Sequence, residues 1–450
     1  MNADLSLLLG SGVVAITVAV TALVLLVQRD LAPSGGTGGA LAGGGKWFLG
    51  AALGIGVIAF TLKLGIVLTL ASFPDQTIAP LIPTPEERNA PSWQPVWFDT
   101  QSPHPVFQTL PAVVPSPPEN PTTPAKVALG ERLFHETALS RDRSVSCASC
   151  HDLTGGAGTD NRSTAIGITG VAGSRNAPTV WNAAFQTRLF WDGRAGSLEE
   201  QAMGPPLNPD EMGMPSFAAI EERIASDPSY SDGFAAAFGE RRPVSMTLIV
   251  QAIAAYERTL ISADSPYDRF VAGETEALTA AQKRGMWLFQ SIGCINCHSG
   301  PNFSGASAVG PRNPYAPLLA SRSDYARRHG LDRDKGRAQP GARDGIWRIP
   351  SLRNVALTAP YFHNGSVTDL AEAVRVMATA QLGAEISDSP ARRRTPIWSA
   401  SRGMFEAADR LVLDGQDVND IVTFLNALSG ETLVKRMAER RAGMPYTEGR

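Results

Sequence analysis

The sequence predicts a mainly α-helical protein: two small helical domains, each closed around a covalently attached group, behind an N-terminal hairpin of two membrane-spanning helices. Three observations predict this. The pentads Cys147-Ala148-Ser149-Cys150-His151 and Cys294-Ile295-Asn296-Cys297-His298 use all 4 cysteines of the 450-residue chain. Two long apolar runs, residues 5–27 and 47–73, open it. From residue 127 onward apolar residues recur at helical spacing between stretches rich in Gly, Pro and Asn.

The first run is uncharged and long enough to cross a bilayer as a helix; the second is interrupted only by Lys63. Arg29 and Lys46 flank the Gly-rich loop between them and favour a cytoplasmic loop. Everything after residue 73 is then expected outside a bacterial inner membrane, in the periplasm. A cleaved signal peptide fits poorly, because Met1-Asn2-Ala3-Asp4 has no positive start. Lys63 is expected to snorkel to the outer headgroups or to meet a membrane-protein partner of the hairpin. Residues 74–126 are Pro-rich and read as a semi-rigid tether holding a solvated His104. A net charge of −3 excludes a nucleic-acid partner.

The globular part divides into residues 127–270 and 271–430, one pentad each, followed by a charged tail, 431–450, expected either to pack back on the first domain or to stay loose. Residues 248–261, 368–380 and 418–428 carry helical periodicity, and Thr279-Ala280-Ala281-Gln282 is a capping box opening the helix before the second pentad. Residues 154–178 and 300–345 are long loops of the kind that carry function.

Cys-x-x-Cys-His is the attachment signature of haem c: the thiols become thioethers and the histidine binds the iron. A zinc knuckle or redox dithiol would leave both histidines without a role. Two covalent haems c are therefore expected, on Cys147, Cys150 and His151 and on Cys294, Cys297 and His298. Small helical domains with a central haem are the cytochrome c pattern. A methionine as sixth ligand makes an electron-transfer haem, and an open position makes one that binds peroxide. Met377 is the candidate ligand for the second iron, ahead of Met286 and Met404; Met203, Met212 and Met214 are the candidates beyond the first pentad.

Between residues 129 and 430 the chain resembles the bacterial diheme cytochrome c peroxidases. The resemblance rests on Leu129-Gly130-Glu131-Arg132-Leu133-Phe134, Arg175-Asn176-Ala177-Pro178-Thr179, Phe190-Trp191-Asp192-Gly193-Arg194-Ala195, Pro350-Ser351-Leu352-Arg353-Asn354-Val355 and Pro360-Tyr361-Phe362-His363-Asn364-Gly365, in family order around the two pentads. It implies a peroxidatic first haem and an electron-collecting second haem. It implies catalytic roles for Glu211, Gln201 and Trp191: cleaving a peroxide O–O bond needs a proton carried between its oxygens, which suits a carboxylate at Glu211 and an orienting amide at Gln201. Trp191 matches the tryptophan between the haems. Asn176, Thr358 and Pro360 match an interdomain Ca2+ site of amide and carbonyl oxygens. His363 matches a family histidine near this interface and is given no ligand role. The implied partners are hydrogen peroxide, a periplasmic donor (a c-type cytochrome, a cupredoxin or quinol) and a second copy in a homodimer.

One departure stands out. Many members carry a histidine that ligates the first haem at rest, in the loop that here reads Ala165-Ile166-Gly167-Ile168-Thr169-Gly170. Ile168 takes its place, so the first haem is expected to be five-coordinate or water-bound even when oxidised. His135 is expected to be structural or to lie near that haem. Two readings compete with the peroxidase: a diheme oxidase acting on a side chain of a partner protein, which Ile168 favours and Met377 opposes, and a non-catalytic diheme electron carrier.

Overall fold

The computed structural model describes residues 107–443, apart from 240–241, 311–312, 319–322, 343, 383–385, 387–393, 400–403 and 410–412. Both apolar runs, Lys63, His104 and the last seven residues lie outside the described residues. Among the described residues, no helix is long and apolar enough to cross a membrane.

The longer helices are α1 (Pro124–Phe134), α2 (Phe217–Ala225), α3 (Ser231–Phe238), α4 (Met246–Glu257), α5 (Ala280–Ser291), α6 (Leu370–Leu382), α7 (Gly415–Asn426) and α8 (Glu431–Arg441). Their starts are written in the sequence. Thr123 caps α1 with Pro124 at its first position, Ser245 caps α4, and capping boxes open α5 (Thr279 with Gln282) and α7 (Asp414 with Asp417). Two short antiparallel pairs accompany the helices in this mainly α-helical chain. β1 (Tyr315–Pro317) joins β2 (Ile346–Arg348), with Tyr315 opposite Arg348; β3 (Arg394–Ser399) joins β4 (Met404–Asp409). Strands this short fall below what sequence periodicity resolves. β3 and β4 form a hairpin in a separate unit from the rest of the described chain.

The two haem-binding segments are one architecture used twice. α1 crosses α4 before the first pentad's partner helices, and α5 crosses α7 around the second. Each crossing is closed by a glycine: a Cβ on Gly130 would sit 1.9 Å from the Ala252 carbonyl oxygen, and one on Gly285 would sit 1.9 Å from that of Asp420. The strings Gly130-Glu131-Arg132-Leu133-Phe134 and Gly285-Met286-Trp287-Leu288-Phe289 place the same aromatic contact four residues later. Phe134 meets Tyr256 and Phe289 meets Phe424, both at 5.5 Å between ring centroids. Downstream, Asn182 and Asn354 both adopt the left-handed conformation at φ 60° and start a short 3-10 turn. Phe190 and Phe362 do so at 63° and 68°.

The modules share one compact unit. Residues 185–187 pair with 306–308, through Ala308 N–H to Phe185 O (2.7 Å) and Thr187 N–H to Ala306 O (2.7 Å). A second join is reciprocal: Asn176 N–H donates to His363 O (2.8 Å) and Arg348 N–H donates to Trp191 O (2.9 Å). Asn176 and Arg348 occupy corresponding places in the two modules, as do Trp191 and His363, so the seam has an approximate two-fold relation. Buried Arg353 donates twice to buried Asp268 (2.7 and 2.9 Å), tying the second module to the end of the first.

Two boundaries differ from the sequence reading. The last part of the Pro-rich tether packs on the globular body: Leu110 and Val114 are buried against Phe185, and Asn120 binds Glu199 and the Gln251 carbonyl. The first part of the charged tail forms α8, whose Leu433 and Met437 enter the first module's core beside Leu133, Ile220 and Ile249. Of the two courses open to the charged tail it takes the first, packing one apolar stripe back on the first module as a helix. His135 ends α1 on the surface, edge-on to Phe134, away from a site role.

Because each glycine admits a neighbouring carbonyl, Gly130→Ala and Gly285→Ala should each cost about 1–3 kcal/mol. Thermal melts of the holoprotein should show a clearly lower Tm for both; an unchanged Tm in either would remove the crossing from the account.

Candidate di-haem site

Each pentad forms a single turn whose histidine is oriented by backbone carbonyls. Ser146 caps the turn Cys147–Cys150, and the His151 N–H donates to Cys147 O (3.0 Å). The His298 N–H donates to Cys294 O (2.9 Å) in the same way. Nδ1 of His151 lies 3.1 Å from Gly158 O and also faces the Pro178 backbone; Nδ1 of His298 lies 3.1 Å from Pro350 O and 3.2 Å from Phe303 O. Two acceptors around Nδ1 place its proton there and leave Nε2 with a free lone pair, as an iron ligand needs. Burial holds both imidazoles below their usual pKa, in the neutral, ligating form.

All four cysteines are free and half-buried. Burial pushes the Cys147 and Cys294 thiols up to about 12 and Cys150 to about 11. The described residues hold no cluster of three or more His, Cys, Asp or Glu that could hold a metal ion, whereas each pentad joins two thiols to an imidazole with a free Nε2. The donor set therefore fits haem c in both modules.

In the first module, Glu211 is half-buried on a turn organised by Asn208. The Asn208 carbonyl accepts from the N–H groups of Glu211, Met212 and Gly213 at 3.1, 3.1 and 2.8 Å. Its side-chain amide donates to Glu211 Oε1 at 2.7 Å. Burial raises the Glu211 pKa above the usual carboxylate value; the Asn208 hydrogen bond opposes this. The Glu211 charge also reaches Cys150 of the first pentad and raises its thiol pKa. Asn208 was missed in the sequence, although Asn208-Pro209-Asp210 is a turn signal. The Ile168 loop is folded against this turn: Ile168 N–H donates to Glu211 O (2.9 Å), and a Cβ on Gly167 would strike the Asp210 and Glu211 carbonyls.

Gln201 is half-buried on the short helix Leu198–Ala202, capped by Ser197. Met212 and Met214 are core residues at 4% and 3% exposure, with Met203 packed against the same core. Met286 is buried at 2% on α5. Met377 is 36% exposed on α6 between buried Val376 and Ala378, so it is no core methionine.

Trp191 stands at the seam. Its Nε1 donates to Asn176 O (2.8 Å), its ring lies edge-on to His363 at 6.5 Å, and His363 stacks on Trp347 at 4.1 Å. Trp347 is a further aromatic that the sequence reading passed over. Burial pushes the His363 imidazole down to about 4, so it is neutral at physiological pH. Asn176 reaches the 360–363 segment through its N–H to His363 O, and its side-chain amide donates to Arg162 O (2.8 Å). Thr358 Oγ1 donates to Val355 O (3.2 Å). One more buried acid borders Cys147: Glu257, 5% exposed with an unpartnered Oε2, is pushed up by burial to about 8 and is mostly protonated at neutral pH.

Comparison with known proteins accords with this geometry. The family described as di-haem cytochrome c peroxidase matches residues 124–276. The chain is 39% identical over 320 residues to cytochrome c peroxidase Ccp of Escherichia coli (strain K12), covering 71% of this chain and 61% of that protein's length. It is 38% identical over 336 residues to cytochrome c551 peroxidase of Pseudomonas aeruginosa, covering 72% of this chain and 85% of the relative. Among solved structures, a MauG-like protein associated with microbial copper homeostasis is similar with a TM-score of 0.57 and 33% identity, over 73% of this chain and 97% of the other. With its two carbonyl-oriented pentads and the indole at the seam, the chain belongs to the di-haem cytochrome c peroxidase family, oxidoreductases acting on peroxide.

Proposed function

We propose that this chain is a membrane-anchored di-haem c peroxidase that reduces hydrogen peroxide to water at the His151 module with electrons entering through the His298 module. The observation that carries the reading is the Glu211 turn. A carboxyl that is half-buried, held by one amide hydrogen bond and raised in pKa can take a proton from one peroxide oxygen and return it to the other. Gln201 orients the peroxide beside it. When bound, the two haems would supply redox-active irons that relay the donor's two electrons to peroxide, which with two protons becomes two waters. Trp191, fixed by the Asn176 carbonyl and edge-on to His363, carries charge across the seam. The exposed thioether of Met377 would be the residue available to hold the second haem's iron beside His298. The donor is a small c-type cytochrome, a cupredoxin or quinol. The anchor is the apolar pair 5–27 and 47–73 in the inner membrane, with the haem modules in the periplasm, the hairpin free to meet another membrane protein and the modules able to form a homodimer. Asn176, Thr358 and Pro360 supply amide and carbonyl oxygens for Ca2+ at the seam.

A second reading, oxidation of a side chain on a partner protein, is favoured by one observation. The loop that would carry a resting-state histidine holds Ile168 and is pinned to Glu211 O. The similarity to a MauG-like structure accords with it. Peroxide turnover with a reduced small cytochrome supports the peroxidase; peroxide consumption only with a protein substrate supports the alternative.

Glu211→Gln should lower kcat/KM for peroxide by about 10²- to 10⁴-fold while leaving both haems attached; a near wild-type rate would remove Glu211 from the chemistry. Asn208→Ala removes the bond that favours the carboxylate, so the Glu211 pKa should rise and the acid limb of the pH–rate profile should move to higher pH. A profile that stays put or moves down contradicts the assignment. EPR of the oxidised enzyme should show no bis-histidine low-spin signal from the first haem, and Met377→Ala should convert only the second haem to high spin.

A further inference from the structure

The seam contains a buried cation that the protein does not neutralise. Arg348 ends β2 and is 5% exposed. Its backbone N–H donates to Trp191 O (2.9 Å), its Nε to Phe190 O (2.9 Å) and its Nη1 to Gln186 Oε1 (3.2 Å). All three acceptors are uncharged. Among the described residues, no carboxylate forms an ion pair with it. Asp192, the acid whose charge reaches it, is engaged by Arg175 (2.7 Å) and Arg194 (3.0 Å). Arg353, five residues on and 2% exposed, shows the contrast: there the fold supplies Asp268 with two hydrogen bonds. A buried guanidinium held only by neutral groups is costly unless an anion completes it.

The anion has a place to bind. Nη2 of Arg348 makes no hydrogen bond to a described residue and is not sealed from the surface. Two further buried polar atoms of the same seam, His363 Nε2 and Trp347 Nε1, also lack partners. Two residues beyond Arg348, the Pro350 carbonyl faces Nδ1 of His298 (3.1 Å). The strand carrying the cation therefore runs beneath one haem-binding histidine while its side chain grips the Trp191 segment of the other module. Haem c is attached through its vinyl groups, which leaves both propionates as free carboxylates, and a guanidinium fork matches a carboxylate.

We infer that Arg348 receives a haem propionate at Nη2, and that this positioning residue locks one haem edge and the Trp191 segment into a single unit. The inference rests on the di-haem reading. A fixed positive charge at the haem edge favours the reduced, more negative haem and so raises its midpoint potential. A propionate held by a guanidinium stays ionised through neutral pH, so that potential does not follow pH.

The test is spectroelectrochemical titration of both haems between pH 5 and 8 in the full-length holoenzyme and in Arg348→Gln and Arg348→Lys. In R348Q at least one midpoint should fall and become pH-dependent, because the released propionate takes up a proton on reduction. R348K should recover most of the potential with little pH dependence. Unchanged midpoints in R348Q, or equal pH-independent shifts in both variants, would overturn the inference and leave Arg348 a packing residue. If R348Q does not load haem, redox-difference infrared spectra of the wild type with 13C-labelled propionates decide: no protonated-carboxyl band from the seam propionate supports the lock, and its appearance within this pH range refutes it. A wild-type protein carrying fewer than two haems in a pyridine haemochrome assay would instead remove the di-haem reading.

Discussion

The carbonyl contacts at the pentad histidines organise the rest of the structure. Gly158 and Pro178 surround Nδ1 of His151; Phe303 and Pro350 surround that of His298. Each bond contributes only about 1 kcal/mol to folding. Its larger effect is on chemistry, because it fixes the tautomer and the ring plane and so decides which nitrogen can hold iron. It also fixes the chain that follows. From Pro178 and Pro350 the backbone runs four residues to a left-handed Asn, Asn182 or Asn354, and nine more to Trp191 or His363. The residues that meet at the seam are therefore placed by the same bonds that orient the proximal ligands.

A duplicated scaffold explains how one fold holds two different redox sites. The shared parts are those that the scaffold needs: the close glycine crossing, the aromatic pair at 5.5 Å, the pentad turn and the left-handed Asn. The differences lie where the repeats exchange backbone hydrogen bonds. Arg175 in the first module corresponds to Trp347 in the second, Asn176 to Arg348, and Trp191 to His363. An approximate two-fold relation brings each residue near its counterpart's partner, so an uncharged indole with a satisfied N–H faces a neutral imidazole with an unpartnered nitrogen. The two sides of the seam thus present different groups to whatever lies between the modules.

Much of this was legible in the sequence, and what was missed has physical causes. The pentads fixed the cofactor class because Cys, Cys and His at that spacing have few other uses. Capping residues located helix starts: Thr279 with Gln282 was read before α5 and holds in the structure. Glu211, Gln201 and Trp191 came only through resemblance, since an acid in Pro209-Asp210-Glu211 reads as solvated until Asn208 and the Ile168 loop are seen to enclose it. α8 was read as a charged tail because Leu433 and Met437 are the only residues of that helix that are buried. The pentads gave the two modules, but their residue-by-residue correspondence was missed because it lies in backbone conformation and glycine placement more than in residue identity. Arg348 could not be recognised at all: a buried cation and an exposed one look alike in sequence, and only the missing carboxylate distinguishes them.

The Ile168 loop bears on how the first site is controlled. A histidine that binds the iron at rest and leaves on activation needs a loop that can move. Here the loop is joined to the Glu211 turn by Ile168 N–H to Glu211 O, and Gly167 fits so closely that a Cβ would overlap the Asp210 and Glu211 carbonyls. Ile168 itself packs toward Gly213 on the same turn, where a Cβ would lie 2.3 Å from its Cδ1. Any movement of that loop would therefore carry the Glu211 backbone with it or break the Ile168–Glu211 hydrogen bond, which ties the loop's position to that of the acid.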